Sequence, residues 1–337
     1  MAAAVDQVVP PRALAAWLGS QGLTDGTGVG VEQLSGGASN LTFRVRTGDR
    51  DWVLRRPPAK GALPTAHDVL REHRIQAALA PTPVPVPRMV AMCADESVIG
   101  APFYVMERVE GEVYASAAAI AALAPADARA ASQALVTTLA TLHAVDPDAI
   151  GLRDLRRPEP FVDRQLRRWA GQWERSRAAP LPVLDDVFVQ LGARRPAPTD
   201  ARIVHGDYNL GNVMFSGNEL VAVLDWELTA LGDALADLGA LLAYWGEAGR
   251  LLWERRGGHL PDANPGMLSR AEVVAAYEAA AGAPATDVAF FEAMATAKLA
   301  VICAGSLLRA DDQSDEHRDH LWRLVERLAA ISAAALG

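Results

Sequence analysis

The sequence predicts an α+β protein of two lobes, a small β-rich N-terminal lobe and a larger, mostly helical C-terminal lobe. Three features predict it. Short apolar runs with turn residues between them crowd residues 29 to 109, helical spacing takes over from Ala115, and a hairpin within the helical half carries a dense polar set from His205 to Asp225. The change of pattern lies near Glu107 to Gly111, which gives lobes of residues 1–107 and 108–337. With 337 residues, 50% of them hydrophobic, the chain is long enough for one or two domains sharing a substantial core.

In chain order, Pro11 to Ser20 reads as a helix, followed by strands at about Val29 to Leu34, Leu41 to Arg46 and Trp52 to Arg55. His67 to Leu79 has helical spacing, with Val69, Leu70, His73 and Ala77 on one side, and the proline-rich run Pro81 to Pro87 stops it. Strands resume at Arg88 to Cys93 and Phe103 to Val109. The alanine-biased stretch Ala115 to Ala134 reads as a helix pair joined around Pro125. The apolar run Ala289 to Leu308 contains Glu292 and Lys298, which argues against a membrane span. No basic region precedes the apolar residues near Met1, so no signal peptide is expected, and the isolated Cys93 and Cys303 fit buried thiols in a reducing cytoplasm. A formal charge of −9 argues against nucleic acid or an anionic membrane as the main partner.

The polar hairpin is the strongest chemical signal. His205-Gly206-Asp207-Tyr208-Asn209-Leu210-Gly211-Asn212 leads into Val213-Met214-Phe215, the turn Ser216-Gly217-Asn218, and Leu220 to Asp225. Counting back from the turn sets Asn212 and Asp225 near the same open end. At ~3.3 Å per strand residue, a register offset of one or two still lets both reach one cation. A carboxylate and an amide on Mg²⁺, with Asp207 facing an acceptor hydroxyl, is the minimal apparatus for moving the γ-phosphoryl of a nucleotide. Upstream, the turn Ser35 to Asn40 can set backbone N–H groups, the Ser39 hydroxyl and Asn40 against phosphate oxygens. Arg55 then stands where a cation should meet the phosphates, and Glu72 on the next helix can orient it. Arg56 competes for that role, because adjacent strand residues face opposite sides. His205 is expected to pack beneath the loop, Asp233 to cap the helix running to Trp245, Asp237 to brace the loop, and Glu227 to approach the metal or anchor the next loop.

The ordered set Leu34-Ser35-Gly36-Gly37, Val53-Leu54-Arg55-Arg56-Pro57-Pro58, Phe103-Tyr104-Val105-Met106-Glu107, His205-Gly206-Asp207 with Asn212, and Leu224-Asp225-Trp226-Glu227 resembles the aminoglycoside phosphotransferase superfamily. Within it, the nearest likeness is the branch found as the kinase domain attached to some acyl-CoA dehydrogenases and as free-standing bacterial proteins. It covers roughly Val31 to Leu308. The resemblance implies a bilobal protein-kinase-like fold binding ATP and Mg²⁺, with Asp207 as catalytic base, Asn212 and Asp225 as metal ligands, and a hinge from Glu107 to Val109 whose backbone meets the nucleobase. Many superfamily members carry Lys where Arg55 stands, although Arg is usual in the closer branch. The turn also lacks the full G-x-G-x-x-G of protein kinases.

The charge pattern bears on the acceptor. From Arg153 to Arg177 eight arginines face four acids, in a chain that is otherwise acidic, which predicts an anionic substrate in the helical lobe. Trp169 and Trp173 form an aromatic pair beside them, as a ligand platform or as core. Aminoglycosides are polycations and would prefer carboxylates; Asp311, Asp312, Asp315 and Glu316 could supply them or simply begin the last helix. The resembling branch is associated with hydroxyacyl substrates, including 4-hydroxyacyl-CoA thioesters. The leading expectation is therefore an ATP- and Mg²⁺-dependent kinase of a small-molecule hydroxyl, with a hydroxyacyl acceptor. The alternatives are an aminoglycoside kinase and a nucleotide-binding regulator without catalysis.

Overall fold

A computed structural model describes residues 5–25, 28–34, 40–58, 68–114, 116–254, 258, 261–308 and 314–337. Two compact units divide the chain, the first comprising Met1–Glu110 with Val221–Glu227, the second Gly111–Leu220 with Leu228–Gly337. The short return of 221–227 to the first unit is something a single cut in the sequence does not anticipate.

The first unit begins with α1 (Val5–Val8) and α2 (Pro11–Ser20), the latter opened by Pro11 at a position where its missing N–H costs nothing. Next come β1 (Gly30–Gln33), β2 (Leu41–Thr47), β3 (Arg50–Arg56), α3 (Val69–Leu79), β4 (Met89–Cys93) and β5 (Phe103–Glu107). The five strands form one antiparallel sheet in the order β1-β2-β3-β5-β4. Period-two alternation sorts the residues of β3. Trp52 and Leu54 join Phe43, Val45, Phe103 and Val105 in a core shared with Leu14 and Leu18 of α2. Val53 instead joins Tyr104, Met106 and Val69 of α3 in a smaller cluster on the opposite face. Gly48, at φ 56°, makes the tight turn from β2 to β3.

In the second unit, α4 (Ala117–Ala121) and α5 (Pro125–Ala144) form the helix pair, with Pro125 at the start of α5. They are followed by α6 (Phe161–Ser176), α7 (Pro182–Ala193), β6 (Arg202–Val204), β7 (Val213–Ser216), β8 (Glu219–Val223) and β9 (Ala230–Gly232). The last helices are α8 (Leu235–Trp245), α9 (Glu247–Trp253), α10 (Arg270–Ala281), α11 (Val288–Leu308) and α12 (Asp315–Leu336). β6 pairs antiparallel with β9, and the polar segment lies between them in sequence. β7 and β8 form the predicted hairpin, and β8 crosses the unit boundary, its last three residues, Val221 to Val223, belonging to the first unit.

The core of this unit is built where α11 packs against α6, α8 and α12, burying Leu166, Trp173, Phe291, Val301, Val325 and Leu328. By length and composition α11 would suit a membrane span, yet 67% of its most apolar stretch is buried inside the protein. Its two charges are both engaged. Glu292 pairs with Arg270, and Lys298 reaches a backbone carbonyl described below. Cys93 is buried, Cys303 is partly so, and burial pushes the Cys303 thiol up to about 11. The predicted Asp311 and Asp312 lie outside the described residues; Asp315 and Glu316 are exposed in the first turn of α12.

The approach of α8 to α11 depends on Gly239, where an added Cβ would meet the Phe291 carbonyl carbon at 2.4 Å and the Glu292 nitrogen at 2.7 Å. Gly239→Ala should therefore force these helices apart and destabilise the protein by about 1–3 kcal/mol, as overpacking does. Differential scanning calorimetry should record a lower Tm; an unchanged Tm would contradict so close a contact.

Candidate active site

In the first unit, the placement of Arg55 follows from strand alternation. Its side chain lies on the α3 face of the sheet, where Nη2 stands 3.3 Å from Glu72 Oε1 and 3.1 Å from Asp225 Oδ1. Arg56 points the other way. It is 2% exposed and donates to the carbonyls of Val8 and, at 2.9 Å, Ile99, so it helps lock the first helices against the sheet. Glu72 is held by the geometry of α3, whose first turn is capped by the Asp68 side chain accepting from Arg71 N–H at 3.0 Å. The Tyr104 hydroxyl donates to Glu72 Oε2 at 3.2 Å and accepts from Gln76 Nε2 at 3.1 Å.

This is a small buried charge network. Burial would lower the Arg55 pKa, but the carboxylates of Glu72 and Asp225 outweigh it, leaving the guanidinium more firmly protonated than usual. Burial pushes the Glu72 carboxyl up to about 7, with Arg55 opposing. Asp225 adopts a left-handed backbone at φ 64°, a conformation that costs a non-glycine residue about 1 kcal/mol. Trp226, fully buried, donates to Val223 O at 2.9 Å, and Arg71 donates to Glu227 O at 3.4 Å, which anchors this short segment to the unit.

Ser39 lies outside the described residues. Asn40 is 1% exposed, and neither its amide nitrogen nor its oxygen has a hydrogen-bond partner among the described residues. Glu107 ends β5, accepts a hydrogen bond from the Arg88 guanidinium, and is held below the usual carboxylate range by it; Val109 follows in irregular backbone. His73 is half-buried beside the Tyr104 ring, and His67 lies outside the described residues.

The polar segment of the second unit is held from below by Asp237 in α8. Its carboxylate accepts the N–H of His205 at 2.6 Å and of Gly206 at 2.8 Å. Burial would raise this carboxyl, but hydrogen bonding and charge from His143 and the Gly206 N–H hold it below its ordinary value. His143 Nε2 lies 3.3 Å from Asp237 Oδ2, and Nδ1 lies 2.8 Å from the Tyr277 hydroxyl. Gly206 has φ 88°, and an added Cβ would meet Leu228 O at 2.7 Å, so no other residue fits. His205 is fully buried and accepts from Asp207 N–H at 3.2 Å. Asp233 accepts from Leu235 N–H at 2.9 Å at the start of α8.

Asp207 is thereby aimed out of a rigid turn. Its Oδ2 accepts from Asn212 Nδ2 at 2.9 Å, its Oδ1 from the Tyr244 hydroxyl at 3.3 Å. The Asn212 amide oxygen carries no hydrogen bond among the described residues. Lys298 donates to Gly206 O at 2.6 Å and lies 5.8 Å from the Trp169 ring centroid. Phe161, Gln165, Arg168, Trp169, Gly206 and Lys298 contribute to the wall of a cavity of about 50 Å³.

Sequence reasoning missed Lys298, Tyr244 and the His143–Tyr277 support. A signal existed for Lys298: a lone cation inside a long apolar helix needs a polar reason to be there. Tyr244 and His143 gave none. The arginine-rich stretch differs from its expectation too. Acids outside the counted window, Asp148 and Asp185, pair with Arg153, Arg156 and Arg177, so much of the apparent excess is neutralised. Trp173 is core and hydrogen-bonded to Asp185 at 2.7 Å, whereas Trp169 is mostly buried but reaches the cavity.

Comparison with known proteins adds to this geometry. The profile of the phosphotransferase enzyme family matches residues 30–289. Acyl-CoA dehydrogenase family member 11 of Rattus norvegicus is 34% identical over 280 residues, covering 82% of this chain and 36% of the relative. Acyl-CoA dehydrogenase family member 10 of Mus musculus is 36% identical over 241 residues, covering 70% of this chain and 22% of the relative. The chain thus spans about a third or less of these relatives. Among solved structures, a Ralstonia eutropha protein provisionally named an aminoglycoside phosphotransferase superposes with TM-score 0.80 at 32% identity, covering 96% of this chain and 97% of that one. The aminoglycoside phosphotransferase APH(4)-Ia, in a ternary complex with AMP-PNP and hygromycin B, shares the fold with TM-score 0.61 at 16% identity, covering 95% and 97%.

The Glu72 environment sets a pH dependence. Its carboxyl is raised from 4.5 to about 7 in the folded protein, so the protonated form favours folding. This contribution is full below the unfolded value and is lost as pH rises through about 7. Glu72→Gln stays neutral throughout. Relative to the variant, the wild type should lose stability between pH 4.5 and about 7 and then level off, as read by denaturant titration; parallel curves across that window would refute the shift.

Proposed function

Because the chain belongs to the phosphotransferase enzyme family and has its kinase-like fold, we propose that it uses ATP and Mg²⁺ to phosphorylate a hydroxyl of a small hydroxyacyl compound, such as a hydroxyacyl-CoA thioester. The observation that carries the kinase part is the buried Arg55–Glu72 ion pair with Asp225 on the same guanidinium. A cation fixed in this way is suited to triphosphate oxygens. The Asn40 amide, without a hydrogen-bond partner among the described residues, gives a second reason to expect a polar ligand in the first unit.

Among the described residues no three His, Cys, Asp or Glu side chains cluster as a metal site. Mg²⁺ bound through substrate phosphates needs no such cage, since one or two protein oxygens suffice. Asp225 and Asn212 supply hard oxygen donors of that kind, and the hairpin between them in sequence is the reason to assign both to one ion. When bound, Mg²⁺ neutralises charge on the phosphates. Asn40 contacts phosphate oxygens, and the backbone from Glu107 to Val109 receives the nucleobase. Asp207 orients the acceptor hydroxyl and takes its proton as the new bond from that oxygen to the γ-phosphorus forms and the bond from the γ-phosphorus to the β–γ bridging oxygen breaks, releasing ADP. Arg55 offsets charge on the transferring group. Tyr244 and Asn212 fix the Asp207 carboxylate, and Lys298 fixes the preceding carbonyl.

Support for a hydroxyacyl acceptor comes from the relatives named acyl-CoA dehydrogenase family members 10 and 11, and from Arg168 and Lys298 lining the cavity beside Gly206. The name of the Ralstonia eutropha neighbour favours a second reading, an aminoglycoside kinase. Cations in the cavity wall disfavour a polycationic acceptor. A regulator that only binds nucleotide would have no use for the Asp207 arrangement.

Asp207→Ala should lower kcat by about 10²–10⁴, the range for loss of a general base, with nucleotide affinity kept. Turnover near wild type would remove the base assignment. Asp225→Ala should abolish Mg²⁺-dependent AMP-PNP binding by calorimetry, and unchanged affinity would end its metal role. In an ADP-release assay, hydroxyacyl-CoA thioesters should be turned over and aminoglycosides should not; the reverse result would establish the antibiotic kinase, and ATP binding with no transfer to either would establish the regulator.

A further inference from the structure

We infer that a second cleft in the helical unit is an anion site that holds a phosphate or carboxylate group of the acceptor at Arg157 and Arg164. As a statement about the acceptor it rests on the phosphotransferase reading. The cleft has a volume of about 520 Å³, ten times that of the cavity beside Gly206, and runs between residues 156–164 and 195–201.

Its cations are not alike. Arg156 is paired with Asp148 and Arg195 with Asp163. Arg157 donates only to the Asp154 carbonyl, at 3.4 Å, and makes no ion pair with a carboxylate among the described residues. Arg164 donates to two carbonyls, of Glu159 and, at 3.2 Å, of Leu231, and stands 5.6 Å from the Phe161 ring centroid. Burial is the main influence lowering its pKa, and Arg157 and Arg167 press the same way against Glu159. The Glu159 carboxylate beside Arg164 is engaged by Arg167, so the exposed Arg157 and the carbonyl-held Arg164 can take a further anion in the cleft. Pro158, Pro160, Pro196 and Pro198 stiffen the walls, which lowers the ordering cost of binding.

Phe161 connects the two spaces. It lines both the cleft and the cavity that reaches Gly206 and Lys298. Its position is fixed by Gly232, where an added Cβ would meet the ring at 2.2 Å. An elongated acceptor passing Phe161 would place its hydroxyl near the catalytic turn and its anionic end at the guanidiniums.

The test uses pyrophosphate and succinate as probes of the two oxyanion chemistries, titrated calorimetrically into wild type, Arg157→Glu, Arg157→Lys and Asp225→Ala. At least one probe should bind about tenfold or more weakly to Arg157→Glu, less weakly to Arg157→Lys, and with wild-type affinity to Asp225→Ala. Pyrophosphate alone behaving so assigns a phosphate site, succinate alone a carboxylate site. Affinity insensitive to Arg157→Glu, loss in Asp225→Ala instead, or no binding of either probe overturns the inference. AMP-PNP titrated into the same proteins separates the two claims: failure of wild type to bind it sinks the kinase reading while an Arg157-dependent anion would still stand.

Discussion

The polar segment from His205 to Asn212 depends on one buried carboxylate. Asp237 is fully buried in α8, where an unmatched charge would cost several kcal/mol. It is tolerable because the N–H groups of His205 and Gly206 and the ring of His143 converge on it. Those bonds hold a turn whose left-handed Gly206 is wedged against Leu228, and the turn sets the direction in which Asp207 leaves the backbone. Lys298 takes the Gly206 carbonyl from the other side. The chemistry proposed for Asp207 is thus prepared by a group that never needs to touch a substrate.

The first unit solves a different problem. It anchors a largely buried guanidinium in a small sheet. Alternation along β3 provides two adjacent arginines with opposite fates, Arg56 bonded to backbone carbonyls on the α2 side and Arg55 to carboxylates on the α3 side. Glu72 sits beneath Arg55 with Tyr104 and Gln76 behind it, so the pair has little freedom to turn away. The strained backbone at Asp225 belongs to the same network. Such strain persists where surrounding contacts over-determine it, and here Arg55 and the buried Trp226 flank the residue.

Charge in the helical unit is distributed by folding, not by sequence neighbourhood. Counted along the chain, residues 153–177 are strongly basic; in space, Asp148 and Asp185 join them and the excess shrinks. Arg157 and Arg164 line a broad cleft, and Arg168 and Lys298 line a narrow cavity with Trp169. The aromatic pair divides likewise, with Trp173 in the core and Trp169 at the cavity wall.

Local sequence determined the elements. Proline at helix starts, alternation in the strands, and Gly206-Asp207 before a hairpin are rules of neighbours in the chain, and they gave the sheet strands, the helix pair at Pro125, and the polar turn close to where they lie. They also placed His205 and Asp237 under the turn. Tertiary packing decided the rest. Whether Arg55 or Arg56 faces Glu72 depends on which side of the sheet α3 covers, and α3 is joined to β3 by residues whose sequence carries no facing information. Lys298, Tyr244 and His143 come to the turn from separate helices, α11, α8 and α5, and only their packing aligns them. Sequence thus fixes what each segment becomes, because propensity and capping act over a few residues; the side chains that meet across segments are chosen by the burial of apolar faces, which acts over the whole unit.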